Sequence, residues 1–274
     1  MNRLDGKVAF ISGVARGQGR SHAVRMAEEG ADVIGFDVCE DLDSCAYPLA
    51  TEEDLAETVE LVEKAGGRIV ARKADVRARS QVEGVLAEGL AELGRVDFVV
   101  ANAGIMPIIG AAARTGQAWD DGIGVMLTGV FNTVDAAIPS LIEQGDGGAI
   151  IITSSSAGLR GFNMFITPGG MSYVAAKHGV VGLMRAWANQ LGPHNVRVNT
   201  VHPTGTATPM VMNEAFGTFT TTEAPGVAEA MSNALPVEMI QPVDISNAVV
   251  FLCSNEGRYV TGVALPVDAG ATNK

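Results

Sequence analysis

Tyr173 and Lys177 stand four residues apart in the run MSYVAAKHG, 171–179. On a helix that spacing places a phenol and an ammonium on one face. A free phenol, with a pKa of about 10, is a poor base at neutral pH. A cation one turn away favours the phenolate and draws that value down, which would make the phenol a usable proton carrier. A packed tyrosine beside a lysine that reaches water would show the same spacing, so the pair alone decides nothing. A second polar group lies upstream, where the run AIIIT ends in Ser154, Ser155 and Ser156. A serine hydroxyl near a reacting oxygen can orient it and stabilise developing charge.

A third constellation follows the first apolar run. In SGVARGQGRSHA the glycines fall at 13, 17 and 19. Glycines at a strand-to-helix turn let backbone amides close around a diphosphate, with the helix N-terminus adding positive potential. A tight turn needing glycine dihedrals would read the same way. Asp37 closes the next strand-like run, GFDV, eighteen residues past Gly19. A carboxylate there can accept both hydroxyls of an adenosine ribose and would repel a 2′-phosphate, which favours NAD over NADP. Arg16 argues the other way, since a guanidinium could pair with that phosphate. No second positive charge follows Asp37 in Val38, Cys39 and Glu40, so the carboxylate should prevail.

The elements that must hold these groups alternate along nearly the whole chain. Strands are expected at Lys7–Ser12, Asp32–Asp37, Arg68–Ala74, Asp97–Asn102, Ala149–Thr153, Val196–His202 and Val263–Asp268. Helices are expected at Gly19–Glu29, Glu52–Ala65, Ser80–Leu93, Trp119–Glu143, Ser172–Leu191 and Val243–Leu252. Strands that are apolar without alternation, such as DFVVAN, are covered on both faces. The pattern therefore implies an α/β, single-domain, doubly wound Rossmann fold over residues 1–274, with a seven-stranded parallel sheet and helices on both faces. Two stretches interrupt the rhythm: an acidic insertion at 38–51 and a long segment at 204–241, rich in Thr, Met, Ala and Pro, that reads as a substrate lid.

Composition narrows the partners. The 274 residues are 47% hydrophobic with a formal charge of −12, a globular chain whose surface repels phosphate backbones and anionic lipid, so neither nucleic acid nor membrane is expected. Cys39, Cys45 and Cys253 show no metal-ligand spacing with one another or with the four histidines, and no metal is expected. No apolar signal core opens the chain, which points to a cytoplasmic protein.

Taken in order, these motifs resemble the short-chain dehydrogenase/reductase family from Leu4 to Ala271. The resemblance rests on Gly13–Val–Ala–Arg–Gly17–Gln–Gly19, on Asp75–Val76, on Asn102–Ala103–Gly104, on Thr153–Ser–Ser155–Ser–Ala–Gly158, on Tyr173–Val–Ala–Ala–Lys177 and on Pro203–Thr–Gly–Thr–Ala–Thr208–Pro–Met210. It implies NAD as cofactor, held by Gly13, Arg16, Gly17, Gln18 and Gly19, by Asp37 and Val38, by Asp75 and Val76, and by Asn102, Ala103 and Gly104. Tyr173 and Lys177 would complete that set together with Pro203, Thr206 and Thr208. It also implies a catalytic trio of Ser155, Tyr173 and Lys177, since the family's pattern of serine, two residues and glycine selects Ser155 from the serine run. The implied reaction is hydride exchange between NAD and a secondary alcohol or its ketone, with Tyr173 carrying the proton; an NADPH-dependent carbonyl reductase and a cofactor-binding sensor are the alternatives.

ARGQGRSHAVR, YPLAT and RYVTGVALPVDAGAT further resemble the carveol-dehydrogenase-like, mycofactocin-associated subgroup. That likeness implies an insertion folded over a tightly held cofactor, and with it an external redox acceptor. The substrate would be a small hydrophobic alcohol, terpenoid or steroid-like. Candidate pocket residues are Met106, Ile108, Ile109, Phe162, Met164, Phe165, Met210, Met212, Phe216 and Phe219, although lid packing would explain the same residues. Assembly as a homotetramer through 119–143 and 172–191 is implied as well.

Two positions depart from the family. Thr204 follows the proline where glycine is usual, and Met126 stands where the family carries an asparagine that anchors a relay water. A thioether cannot donate a hydrogen bond and barely accepts one; Asn132, off that helical face, is a poor substitute. Met126→Asn is therefore expected to raise proton-coupled turnover on the acidic side of the pH profile. Rates unchanged across the whole profile would remove the relay argument.

Overall fold

The computed structural model describes residues 2–161, 166–230 and 232–273. Its strands are β1 (Val8–Ser12), β2 (Asp32–Asp37), β3 (Ile69–Lys73), β4 (Phe98–Ala101), β5 (Gly148–Thr153), β6 (Val196–Pro203) and β7 (Ala264–Val267). They form one parallel sheet in the order β3-β2-β1-β4-β5-β6-β7. The chain changes direction across the sheet between β1 and β4, and at such a switch point the carboxyl ends of the strands leave a crevice. Asp37, Asn102, Thr153 and Pro203 all sit at or just beyond those ends.

The helices are α1 (Gly17–Ala27), α2 (Glu52–Lys64), α3 (Arg79–Leu93), α4 (Gly116–Ile123), α5 (Gly129–Gln144), α6 (Pro168–Leu191), α7 (Glu214–Thr218), α8 (Gly226–Ala230) and α9 (Pro242–Cys253). Alternate strand residues divide the core in two. Phe10, Ile34, Val99, Ile150 and Val198 pack with α3, α5 and α6, while Ile11, Val33, Val100, Ile151 and Val201 pack with α1, α2 and α9. Both faces are apolar, which is why the strands read as unbroken β-branched runs.

One helix differs from its sequence pattern. The expected helix 119–143 is two α-helices joined by a π-helical turn at Gly124–Thr128. Gly124 and Gly129 flank that turn, and a Cβ on Gly129 would lie 2.6 Å from Val76 Cγ2, so the widened turn lies hard against the segment after β3. Met126 sits inside it, wholly buried. By length and mean hydropathy the run Gly116–Gln144 could cross a membrane, yet half of its 18-residue apolar window is buried inside this fold. The 204–241 segment carries α7, a π-helical turn at Phe219–Glu223, and α8, and it is tied back by a bridge between Thr206 and Ile240.

The glycine loop is the tightest part of the frame. A Cβ on Gly19 would stand 1.8 Å from the Gly13 carbonyl oxygen, and one on Gly13, whose φ is +70°, would stand 2.7 Å from Ala103 Cα. Both obstacles are backbone, which cannot swing aside. Gly19→Ala is expected to cost about 2 kcal/mol or more of stability, the upper part of the usual range for overpacking. Urea unfolding checks it; a midpoint equal to that of the parent would refute the close approach.

Candidate active site

The principal pocket opens at the switch point. Its walls come from the glycine loop (Gly13, Arg16, Gly17, Gln18), the end of β2 (Asp37, Val38), the insertion (Leu42, Tyr47, Leu49, Ala50) and the segment after β3 (Asp75, Val76). The β4 end (Asn102, Ala103, Gly104, Ile105), Thr153 and Ser154, Tyr173 and Lys177, and Thr208–Met210 contribute as well, with Ala74, Arg77 and Val125 filling the gaps. Of the expected site residues, Gly19, Ser155, Pro203 and Thr206 are not part of these walls. Gly19 supports the loop from beneath, and Thr206 turns its hydroxyl to the Thr204 carbonyl.

Helix α6 brings the tyrosine and lysine to the pocket. Thr167 caps it by accepting from Gly170 N, and Pro168 at its first position supplies a preset φ. Lys177 is only 5% exposed, so the reading in which it reaches water does not hold. Its Nζ donates to the Thr153 carbonyl at 2.8 Å and lies 5.7 Å from the Tyr173 ring centre. One bond leaves two of its N–H groups for a ligand. Burial pushes the ammonium down to about 8. The same burial pushes the Tyr173 phenol up, partly offset by its hydrogen bond with Ser155. The neighbouring ammonium alone therefore does not bring the phenol down: desolvation of the phenolate outweighs whatever it contributes, and the drop expected with an oxidised nicotinamide beside it would have to come from that second charge. Ser155 Oγ also accepts from Ala157 N at 3.1 Å, leaving its own hydrogen for the Tyr173 oxygen or for an oxygen that takes that place.

Several expected cofactor residues have structural duties. Asn102 donates from Nδ2 to the carbonyls of Ser12 and Gly13 at 3.3 and 3.2 Å and accepts from Thr153 Oγ1, lacing β1, β4 and β5 together. Asp37 accepts from Ala15 N at 3.0 Å, and burial raises its carboxyl. Asp75 is held by the Arg77 guanidinium. Arg16 donates to the Pro48 carbonyl at 2.6 Å, which commits it to the insertion.

The insertion is fastened at three points across the pocket. Besides Arg16 to Pro48, Tyr47 Oη accepts from Met106 N at 2.9 Å, and Ser44 donates to Asp121 at 2.8 Å. Asp121 in turn pairs with Arg77 at 2.7 Å and accepts from Gln117, so one buried carboxylate joins the insertion, α4 and the segment after β3. The three fastenings were not legible beforehand, because their partners lie 32 or more residues apart in sequence.

The apolar candidates separate into two groups. Met210 lines the pocket together with Ile105, whereas Met106, Ile108, Ile109 and Phe219 are buried in core packing. Phe216 packs against Phe219, and Met212 is exposed. Phe162, Met164 and Phe165 lie outside the described residues. Met126 and Lys177 meet at Gly104, where a Cβ would lie 3.7 Å from Nζ and 3.9 Å from Met126 Cγ. Asn132 cannot stand in for the missing amide there, since it donates to the Val76 carbonyl. His202 was not anticipated: its imidazole, fully buried, bonds the Ser155 carbonyl at 2.7 Å.

The donor set fits a dinucleotide. A cradle with no room for Cβ atoms meets the N-terminus of α1, Asp37 lines the pocket at the end of β2 where a ribose could be held, and a buried ammonium lies beside a phenol.

Residues 13–272 match a family described as enoyl-(acyl carrier protein) reductase. The chain is 53% identical, over 99% of both chains, to a putative short-chain type dehydrogenase/reductase of Mycolicibacterium smegmatis. It is 45% identical to a (−)-trans-carveol dehydrogenase of Rhodococcus erythropolis, with both chains fully covered. The crystal structure of a carveol dehydrogenase from Mycobacterium avium in complex with NAD superposes with a TM-score of 0.92 at 47% identity, again over the whole of both chains.

Removing one fastening should loosen the insertion. Ser44→Ala deletes a hydrogen bond to a buried carboxylate, worth about 1.5 kcal/mol, or roughly tenfold faster release of a bound dinucleotide. Stopped-flow fluorescence of the reduced dinucleotide measures it. Unchanged release would show that this contact does not hold the insertion shut.

Proposed function

The chain belongs to the short-chain dehydrogenase/reductase family, and from that membership we propose that it is an NAD-dependent oxidoreductase that interconverts a small hydrophobic secondary alcohol and its ketone. The observation that carries this reading is the buried Lys177 beside the half-buried Tyr173 at the pocket wall, with Ser155 hydrogen-bonded to the phenol from behind that wall. A buried ammonium with one protein partner is costly, and such a group is usually kept for a ligand.

Bound NAD would supply the hydride acceptor. Tyr173 Oη would take the hydroxyl proton of the alcohol, or return it to the ketone, with Ser155 Oγ donating to the same substrate oxygen. Lys177 would hold the nicotinamide ribose with its free N–H groups and, while protonated, stabilise the phenolate. Asp37 would accept from the adenosine ribose and disfavour a 2′-phosphate. Arg16, committed to Pro48, does little to offset it, which weakens the NADPH-dependent alternative. Ile105, Leu42 and Met210 supply apolar wall for a terpenoid-like alcohol. The exposed Trp119, Phe131 and Met171 along α4, α5 and α6 suit self-association, and a homotetramer is part of this reading.

Because burial raises the Tyr173 phenol, the group is protonated at neutral pH until a ligand changes its surroundings. Alcohol oxidation, which needs the deprotonated phenol, should therefore climb between pH 6 and 9, approaching tenfold per pH unit, and ketone reduction, which needs the protonated phenol, should hold nearly level over the same interval. Tyr173→Phe should lower oxidation by about 10³-fold, within the range for a lost general acid–base. Absorbance of reduced NAD with carveol-type alcohols checks all three. A variant as fast as the parent would end the proposal; bound NAD with no turnover of any alcohol or electron acceptor would favour a sensor.

A further inference from the structure

Strand β6 stops being able to pair at a particular residue. The ladder between β5 and β6 ends with Ser154 N donating to the Val201 carbonyl at 2.9 Å. The next outward amide on β6 would belong to Pro203, which has no N–H. Ser155, just past the last bond, must then be placed by something other than the sheet. Its backbone is extended, at φ −168° and ψ 163°, and its carbonyl is tied to Gly158 N inside the short turn that follows. That bond holds the turn to itself but not to the neighbouring strand.

The link to the strand is His202. Its Nδ1 meets the Ser155 carbonyl at 2.7 Å, and its Nε2 meets Thr200 Oγ1 at 2.7 Å. A carbonyl can only accept, so Nδ1 carries the proton, and the neutral ring accepts from the threonine hydroxyl at Nε2. Thr200 and His202 are two apart on β6 and face α6, so the imidazole is braced from its own strand. All three polar groups are buried. We propose that His202 is a positioning residue for Ser155: a neutral imidazole strut that ties the serine to β6 beyond the last ladder bond and fixes the serine hydroxyl against Tyr173. Burial holds the ring neutral, down at about 4, with Lys177 and His178 disfavouring its charged form and Asp268 and the Ser155 carbonyl favouring it.

The inference rests on the proposed reaction for its consequence, but its geometry can be read without turnover. An asparagine amide reaches the position of Nδ1, whereas a glutamine amide reaches that of Nε2, so the two variants differ in whether they can serve Ser155. With alcohol and NAD, His202→Ala and His202→Gln should each lower kcat about 10²-fold, the scale of a 1 Å misplacement, while NAD affinity stays within about threefold. His202→Asn should recover most of that loss. In parallel, the 13Cζ resonance of Tyr173, one of only three tyrosines, should move in the alanine and glutamine variants and stay near its parent position in the asparagine variant. The 15N spectrum of the parent should show His202 neutral with its proton on Nδ1 at pH 6. Asparagine failing alongside glutamine would overturn the proposal. So would NAD affinity falling in step with kcat, or a proton found on Nε2. If the parent turns over no alcohol, the reaction is wrong, and the two resonances still decide the strut; should a variant fail to fold, the parent tautomer and the remaining variants do so.

Discussion

The desolvated ammonium of Lys177 is the constraint around which the site is arranged. With one hydrogen bond, to the Thr153 carbonyl, it is held at about 8, and the phenol beside it is pushed up by the same burial. Each shift favours the neutral form of its group, so the pocket as it stands resists the charge pair that proton abstraction needs. A ligand that offered acceptors to the free N–H groups would strengthen the ammonium, and with it the partner of a phenolate. This demands rigid support, which comes from a capped helix of 24 residues on one side and the ends of β4, β5 and β6 on the other.

Much of that support was legible in the sequence, for physical reasons that differ from element to element. Strands buried on both faces announce themselves as unbroken apolar runs, so β1, β2 and β5 were located to within a residue or so. The glycine loop was legible because Gly13 and Gly19 touch backbone and nothing larger fits. The break at Gly124–Thr128 was not legible. A π-turn keeps every residue helical and adds one to the turn, which periodicity over a long apolar stretch does not register. The pairing of Tyr173 with Lys177 could be read from spacing, but the direction of the phenol's shift could not, since it depends on burial. His202 escaped notice because a histidine before a proline carries no signal until the carbonyl it serves is placed beside it.

The insertion illustrates how a new segment changes the meaning of older residues. Arg16 in isolation could counter a 2′-phosphate; with Pro48 against it, the guanidinium becomes a fastening, and Asp37 would meet a ribose with less opposition. The acidity of the segment is likewise spent locally. Asp41 accepts from Leu49 N at 2.6 Å, turning the loop back on itself, and the residues it presents to the pocket are Leu42, Tyr47 and Leu49. An acidic sequence thereby offers an apolar inner surface.

That inner surface bears on the electrostatics with which the site began. Excluding water from the pocket strengthens every interaction left inside it and deepens the desolvation that sets the Tyr173 and Lys177 shifts. The segment that would slow the exchange of a dinucleotide is therefore also one that helps to tune its chemistry. Met126 pushes in the same direction from the opposite wall: a thioether beside Gly104 and Lys177 leaves that side of the ammonium dry where an amide would admit a polar neighbour. In the proposed reaction, apolar packing on both flanks would leave Ser155, Tyr173 and the bound ligand as the polar route for the proton, and would give the orientation of Ser155 more weight than in a wetter site.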